Sequence, residues 1–390
     1  MIESNDERYM QRALELARQG VALASPNPCV GAVVVDPAGR VIGEGTHKYA
    51  EVKHAEVVAL EQAAERARGA TLYLTLEPCC HTGRTGPCVE RVIAAGVRRV
   101  VVAMSDPNPQ VSGKSFDRLR AAGVEVVCGL GEREARRLNE GFACWIRTAR
   151  PLVILKAAMT LDGKIARAPG SVAPAASRAA EVNRGYITSE VARAHVQELR
   201  HAADAILVGV GTVIADDPLL TDRTGEPRRR PLLRVVLDSR LRLPLASRLV
   251  KSVQNDVLVF CGEPEDCSKT AGEERAQRAV LAEHGVRVEQ VGPSAEGSGL
   301  DLKEVVRRLG QEQITSLIIE GGSLVNSSAL AAGVVDKVFF YYAPKILGAG
   351  AVPFAGGAHS HVELPRIANL ALHRFGDDFA VEGYLRDPYA

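Results

Sequence analysis

Thr71-Leu72-Tyr73-Leu74-Thr75-Leu76 runs directly into Glu77-Pro78-Cys79-Cys80, and after His81-Thr82-Gly83-Arg84-Thr85-Gly86 the chain resumes at Pro87-Cys88. The first six residues carry the β-branched, aromatic and leucine side chains of a strand. Pro87 and Cys88 open a helix that Gly96 closes, and Arg98 to Ala103 returns as a strand. Outward from this core, the pattern predicts a helix near 7–19 ending at Gly20, a strand near 30–35 and a helix starting around His54. Alternation of this kind predicts an α/β domain in which helices cover a sheet.

His54-Ala55-Glu56 lies upstream of Pro78-Cys79, and a further cysteine follows at Cys88. An H-x-E pair followed by P-C and a later cysteine is the signature of zinc-dependent nucleobase deaminases. One imidazole and two thiolates leave the fourth zinc position open to water, which then loses a proton near neutral pH. His54, Cys79 and Cys88 are the expected ligands. Glu56, in the first helical turn, is the expected proton shuttle. Cys88 at a helix start is expected to favour its thiolate form, because the positive end of the helix dipole lies there. Eight residues separate Cys79 from Cys88, where the generic template allows two. Taken alone, this spacing leaves three other readings open: a surface His54, a merely packed Cys80 or Cys88, and a closed structural zinc with Cys80 or His81 as fourth ligand.

A length of 390 residues suits two domains. A formal charge of +1 gives no bulk attraction to nucleic acid or membrane. With only 4% aromatic residues there is little to stack bases on, which argues against a deaminase of nucleic-acid bases. The longest apolar runs are strand-sized, and the N-terminal residues show no leader pattern, so a cytoplasmic location without a membrane span is expected. Eight cysteines, three of them within 79–88, read as metal chemistry in a reducing compartment rather than a disulfide framework.

A boundary falls near 145–151, dividing the chain into domains 1–147 and 148–390. The second opens with a strand from Leu152 to Ala157. It continues with strands near 204–209, 232–238, 256–261, 286–291, 316–320 and 336–342, and helices near 188–201, 273–284 and 301–309. Residues 168–180 are rich in Ala, Pro and Ser and read as a flexible insertion. Gly209-Val210-Gly211 is too short for a dinucleotide fingerprint. Ile318-Ile319-Glu320-Gly321-Gly322-Ser323 is more informative: an apolar strand meets a glycine turn and a helix to about 332, whose first N–H groups can hold a phosphate. A ligand-free glycine turn fits equally.

Together with Asp106-Pro107-Asn108-Pro109, Lys156-Ala157-Ala158-Met159-Thr160-Leu161-Asp162-Gly163-Lys164, Gly209 through Pro218 and Glu320-Gly321-Gly322, these residues resemble the bifunctional riboflavin-biosynthesis deaminase/reductases over nearly the whole chain. In that family the long cysteine spacing is the rule. The resemblance implies a cytidine-deaminase-like three-layer domain followed by a dihydrofolate-reductase-like α/β domain, with zinc in the first and NADPH in the second. It implies deamination of 2,5-diamino-6-ribosylamino-4(3H)-pyrimidinone 5′-phosphate and then reduction of the ribosyl group to ribityl, in a homo-oligomer.

By the same resemblance Gly322, Ser323, Leu324, Val325, Asn326, Ser327 and Ser328 line NADPH, joined by Ala158, Tyr186, Thr212, Asp216 and Ser239. Arg200, Leu220, Arg223 and Glu320 face the substrate. Guanidinium forks suit Arg200 and Arg223 to phosphate, though either also fits a solvated surface. Lys156, in a mostly apolar strand, reads as a substrate-side cation near Glu320 or as an edge-strand lysine. Asn27 and Asn108 read as amides for the pyrimidine or ribose, or as turn residues beside proline. The chain departs from the family at Val182-Asn183-Arg184-Gly185-Tyr186-Ile187-Thr188, where Arg184 stands in place of a substrate-binding serine. That departure motivates a second reading, a deaminase whose C-terminal domain is a non-catalytic binding or assembly module.

Overall fold

The computed structural model describes residues 5–81, 86–168, 186–263, 270–294, 299–356 and 365–390. The chain divides into two units, Met1–Ala149 with Pro227–Arg230 and Tyr389, and Arg150–Glu226 with Pro231–Pro388 and Ala390.

In the first unit the order is α1 (Asp6–Arg18), β1 (Gly31–Val35), β2 (Val41–Thr46), α2 (Ala55–Ala63), β3 (Thr71–Leu74), α3 (Cys88–Ala94), β4 (Arg99–Val102), α4 (Lys114–Ala121), β5 (Glu125–Cys128), α5 (Glu132–Leu138) and α6 (Glu140–Thr148). Among the described residues the sheet runs β2-β1-β3-β4-β5, with β1 antiparallel to both neighbours and β3, β4 and β5 parallel. The period of two sorts the strand side chains into two layers of core. Ala32, Val34, Leu72, Leu74, Val100 and Val102 pack under α2, α3 and α4, while Val33, Val35, Tyr73 and Val101 pack under α1 and α5. This is the three-layer arrangement the resemblance implied.

Strand β2 is absent from the sequence reading because Gly43 and Gly45 make Val41–Thr46 look like a turn. The glycines have a packing reason. A Cβ on Gly43 would lie 2.1 Å from the Ala59 carbonyl oxygen, and one on Gly45 2.1 Å from that of Ala55. Helix α2 therefore rests on bare β2 backbone, which fixes the depth of the His54 and Glu56 turn. Gly45→Ala is expected to push α2 off the sheet at a cost of roughly 1–3 kcal/mol, read as a lower thermal midpoint with weakened zinc retention.

The second unit contains β6 (Leu152–Thr160), β7 (Lys164–Ala166), α7 (Glu190–Ala202), β8 (Ala205–Gly209), α8 (Val210–Asp216), β9 (Leu233–Leu237), α9 (Arg248–Lys251), β10 (Val257–Cys261), α10 (Thr270–Glu283), β11 (Arg287–Gln290), α11 (Leu302–Gln311), β12 (Ser316–Ile319), α12 (Ser323–Ala331), β13 (Lys337–Ala343), β14 (Val352–Pro353), β15 (Ala368–Phe375) and β16 (Asp378–Tyr384). Among the described residues its main sheet runs β11-β10-β9-β8-β12-β6-β13-β16-β15. The strands from β11 to β13 are parallel, and β16 and β15 close the far edge antiparallel.

Helices α11 and α12 cover one face through Val305, Val306, Leu309 and Ala329. Helices α8, α9 and α10 cover the other through Val213, Leu249, Val250 and Leu281. The β15–β16 hairpin is missing from the sequence reading. Its outer strand is an edge that leaves Leu370 and Leu372 63% and 76% exposed, so burial imposes no clean apolar pattern there. The insertion expected at 168–180 lies outside the described residues beyond Ala168, as does Arg184. Among the described residues no helix is long and apolar enough to cross a membrane.

Candidate active sites

His54 is the residue before α2, in extended conformation, Cys79 lies in the loop that follows β3, and Cys88 is the first residue of α3. Three separate elements thus bring one nitrogen and two sulfurs within 4.8 Å of one another. His54 Nδ1 lies 3.0 Å from Cys88 Sγ and 3.6 Å from Cys79 Sγ. Soft sulfur and imidazole donors at this spacing fit zinc. Cys80 and His81 are not among the converging ligands, and Cys80 packs against the core under α2 and α3.

The first amide of the Cys88 helix is spent on its neighbour. The Cys88 backbone N–H, the first of its helix, donates to Cys79 Sγ at 3.3 Å. Hydrogen bonding from Cys88 and His54 pulls the Cys79 thiol well below the usual thiol range, while the proximity of Cys79 and burial push the Cys88 thiol up. A zinc ion held here would make thiolates of both cysteines.

Glu56, 3% exposed, sits one residue into α2, and burial raises its pKa against the lowering effect of His54. Two neighbours escaped the sequence reading. His47 is buried, its ring 5.3 Å edge-on from that of His54. Its Nδ1 lies 2.9 Å from the Lys53 carbonyl oxygen, which can only accept, so Nδ1 carries the proton. Nε2 then accepts from Asn27 Nδ2 at 3.0 Å, leaving Asn27 Oδ1 as the free end of that amide. Asn108 is partly spent on its own turn: Oδ1 accepts the Gln110 N–H at 3.0 Å, and its N–H donates to Asp106.

Glu77 is the second omission. Its buried carboxylate accepts the backbone N–H groups of Asp106, Gly113 and Ser115 at 3.1, 2.9 and 3.0 Å. The Ser115 hydroxyl returns a bond to the Pro78 carbonyl. The cysteine loop and the Asp106–Asn108 loop are thereby tied to one side chain. A lone glutamate before Pro-Cys carries no periodic signal, because its partners are backbone groups about 30 residues away. Glu77→Gln sets an NH2 group against backbone donors and removes charge-assisted bonds worth about 1.5–3 kcal/mol each. It is expected to lower the thermal midpoint and to weaken zinc roughly tenfold or more, measurable by chelator competition.

The second unit holds a cavity of about 1010 Å³ at the carboxyl ends of β8, β9 and β12, where parallel α/β sheets place their ligands. Lys156 and Ala158 reach it from β6, an internal strand between β12 and β13, so the edge-strand reading of Lys156 falls away. Lys156 Nζ is 3.3 Å from Glu320 Oε2, and Arg200 clasps the same carboxylate through Nε and Nη2 at 2.6 and 3.0 Å. Burial alone would raise the Glu320 pKa, but the two cations outweigh it and hold it at about 2. Arg200 also donates to the Thr221 carbonyl, so its fork is committed within the protein. Arg223, on the same wall, is a guanidinium available to a phosphate, as are Arg242 and Arg248 farther along it.

Thr212 and Asp216 enter the cavity from α8, Leu220 and Ser239 from loops, and Tyr186 from the start of the segment before α7. Gly322, just before α12, and Ser323, Leu324, Val325 and Ser328 of α12 border it, whereas Asn326 and Ser327 turn inward and are buried. Asn326 Nδ2 instead bonds the Phe354 carbonyl at 2.9 Å. Two observations fit a nucleotide here. Ser323 Oγ is buried without a hydrogen-bond partner at the cavity wall. A Cβ on Gly209 or Gly321 would come within 2.8 or 2.7 Å of Val325, so bare backbone lines the approach to α12.

The cytidine and deoxycytidylate deaminase zinc-binding region matches residues 3–104, and the RibD C-terminal domain matches 151–381. Riboflavin biosynthesis protein RibD of Aquifex aeolicus is 40% identical over 381 residues, covering 98% of this chain and 99% of the relative. The protein of that name from Escherichia coli is 41% identical over 357 residues, 89% of each. RibD of Acinetobacter baumannii superposes with a TM-score of 0.80 at 36% identity, covering 97% of this chain and 98% of that one. The Thermotoga maritima diaminohydroxyphosphoribosylaminopyrimidine deaminase/5-amino-6-(5-phosphoribosylamino)uracil reductase gives 0.78 at 36%, with the same coverage. Both halves of these relatives are present, which sets aside the non-catalytic reading of the second domain. The chain belongs to the RibD family of bifunctional riboflavin-biosynthesis deaminase/reductases.

Proposed function

We infer that the chain deaminates 2,5-diamino-6-ribosylamino-4(3H)-pyrimidinone 5′-phosphate in its first domain and, with NADPH, reduces the ribosyl group of 5-amino-6-(5-phosphoribosylamino)uracil in its second. The observation that carries the reading is the His54, Cys79 and Cys88 cluster beside a buried Glu56. Zinc held there supplies a Lewis acid that makes water nucleophilic near neutral pH. Glu56 takes the two protons of the attacking water in turn, passing one to the ring nitrogen and one to the amine nitrogen, so that ammonia leaves and a carbonyl oxygen remains on the ring carbon. Asn27, oriented by His47, offers its amide oxygen to the ring edge, and Asn108 its amide nitrogen.

In the second domain NADPH supplies a hydride for the ribosyl carbon. Glu320 holds Lys156 at the cavity wall, Arg223 takes the substrate phosphate, and the start of α12 takes a cofactor phosphate. A cytoplasmic location suits the free cysteines. A homo-oligomer suits the exposed Leu370 and Leu372, and its mass by light scattering tests that. The function itself is tested by giving the purified zinc-loaded protein the diaminopyrimidine phosphate with and without NADPH. Ammonia release in both cases, with NADPH oxidation following it in one, is expected. No ammonia would overturn the first activity, and ammonia without NADPH oxidation the second.

A further inference from the structure

One face of α7 takes hold of three consecutive residues in the segment that follows α8. Gln197, Arg200 and His201 stand at positions i, i+3 and i+4 of the helix and so lie side by side. Gln197 Oε1 accepts the Arg223 N–H at 3.1 Å, and Arg200 Nη1 donates to the Thr221 carbonyl at 3.1 Å. Between them, His201 Nδ1 lies 2.8 Å from Asp222 Oδ2. A carboxylate oxygen here only accepts, so Nδ1 carries the proton.

The other oxygen of Asp222 closes the far side of Arg223. Oδ1 accepts the Thr224 N–H at 3.0 Å and the Thr224 hydroxyl at 2.8 Å. Arg223 thus sits inside a turn that a single carboxylate spans, and His201 fastens that carboxylate to α7. The pair lies behind the cavity wall, with side chains 13% and 6% exposed. Upstream, the buried Arg234 of β9 donates to the Leu219 carbonyl at 3.0 Å. Between this anchor and the α7 anchors, Leu220 is held at a φ of +56°, a conformation a non-glycine residue keeps only where its surroundings impose it.

We propose that His201 and Asp222 are positioning residues for the reduction, setting the backbone from which Arg223 reaches the substrate phosphate. This rests on the reading that Arg223 takes that phosphate. The Arg223 side chain is long and exposed, so what the protein can fix in advance is the place of its Cα. A fork that must meet phosphate oxygens in paired hydrogen bonds is sensitive to that place. The effect of the pair is therefore confined to ligands that carry the phosphate.

The test is steady-state NADPH oxidation by the zinc-loaded full-length protein with 5-amino-6-(5-phosphoribosylamino)uracil as substrate and its dephosphorylated counterpart as competing ligand. Wild type is compared with H201L, H201N, D222A, R223Q and H201L/R223Q. H201L and D222A should each raise KM about tenfold, keep kcat within about threefold and leave the inhibition constant of the dephosphorylated ligand unchanged. H201N offers Asp222 an amide N–H where Nδ1 stood and should restore the wild-type KM. R223Q should raise KM at least as far, with H201L adding nothing on top of it. D222A carries the test where H201L fails to fold. Wild-type KM in the folded variants, equal weakening of both ligands, or additivity of H201L with R223Q would each overturn the positioning role alone. A wild-type KM in R223Q would overturn the reading of Arg223 and the inference with it.

Discussion

Glu56→Gln is expected to reduce ammonia release by about 10³-fold while the protein retains its zinc. Glutamine keeps the volume and one acceptor oxygen of a side chain that is 3% exposed, so packing of α2 on β2 is preserved. It cannot carry a proton from water to the amine. The three metal-binding atoms are left untouched, because Glu56 lies outside the converging set of His54, Cys79 and Cys88. The measurement pairs ammonia release with metal content by elemental analysis. Reduction of separately supplied deaminated substrate serves as the internal control and should be unchanged. Turnover retained within about threefold would remove Glu56 from the chemistry, and loss of zinc together with turnover would make it a structural support of the ligands.

The parts of the molecule that were legible in the sequence are those in which chemistry and periodicity coincide locally. His54-x-Glu56 and Pro78-Cys79 name their own metal, and the parallel strands of the second domain announce themselves as short β-branched runs because both their faces are buried. The features that stayed hidden have partners elsewhere in the chain. Gly43 and Gly45 are explained only by the carbonyls of α2 that press on them. Glu77 is explained only by backbone N–H groups of a loop with no pattern of its own.

Cys88 shows the same limit in a sharper form. A helix start predicts a thiolate at its own first residue, yet the amide it frees serves the neighbouring Cys79. Arg200 had the composition of a phosphate ligand, and only the folded chain reveals that its fork is already occupied by Glu320, 120 residues away.

That carboxylate is where the second large effect is expected. Glu320→Gln leaves Lys156 and Arg200, 12% and 13% exposed, as buried cations without their shared counter-charge. Breaking a buried pair in this way costs on the order of 3–5 kcal/mol, which for a unit of this size corresponds to roughly 10 °C in thermal midpoint. NADPH oxidation should fall with it, whereas ammonia release should persist below the new midpoint.

The pH dependence separates this ion cluster from a general loss of packing. Because the Glu320 pKa is lowered from 4.5 to about 2, its contribution is fully present above 4.5 and is lost as pH falls toward 2. The difference in midpoint between wild type and variant should therefore be widest near neutrality and shrink through that window. A difference that stays constant from pH 7 to 3 would mean that Glu320 stabilises the fold by shape, and that the charge on Lys156 and Arg200 is balanced by something else in the cavity.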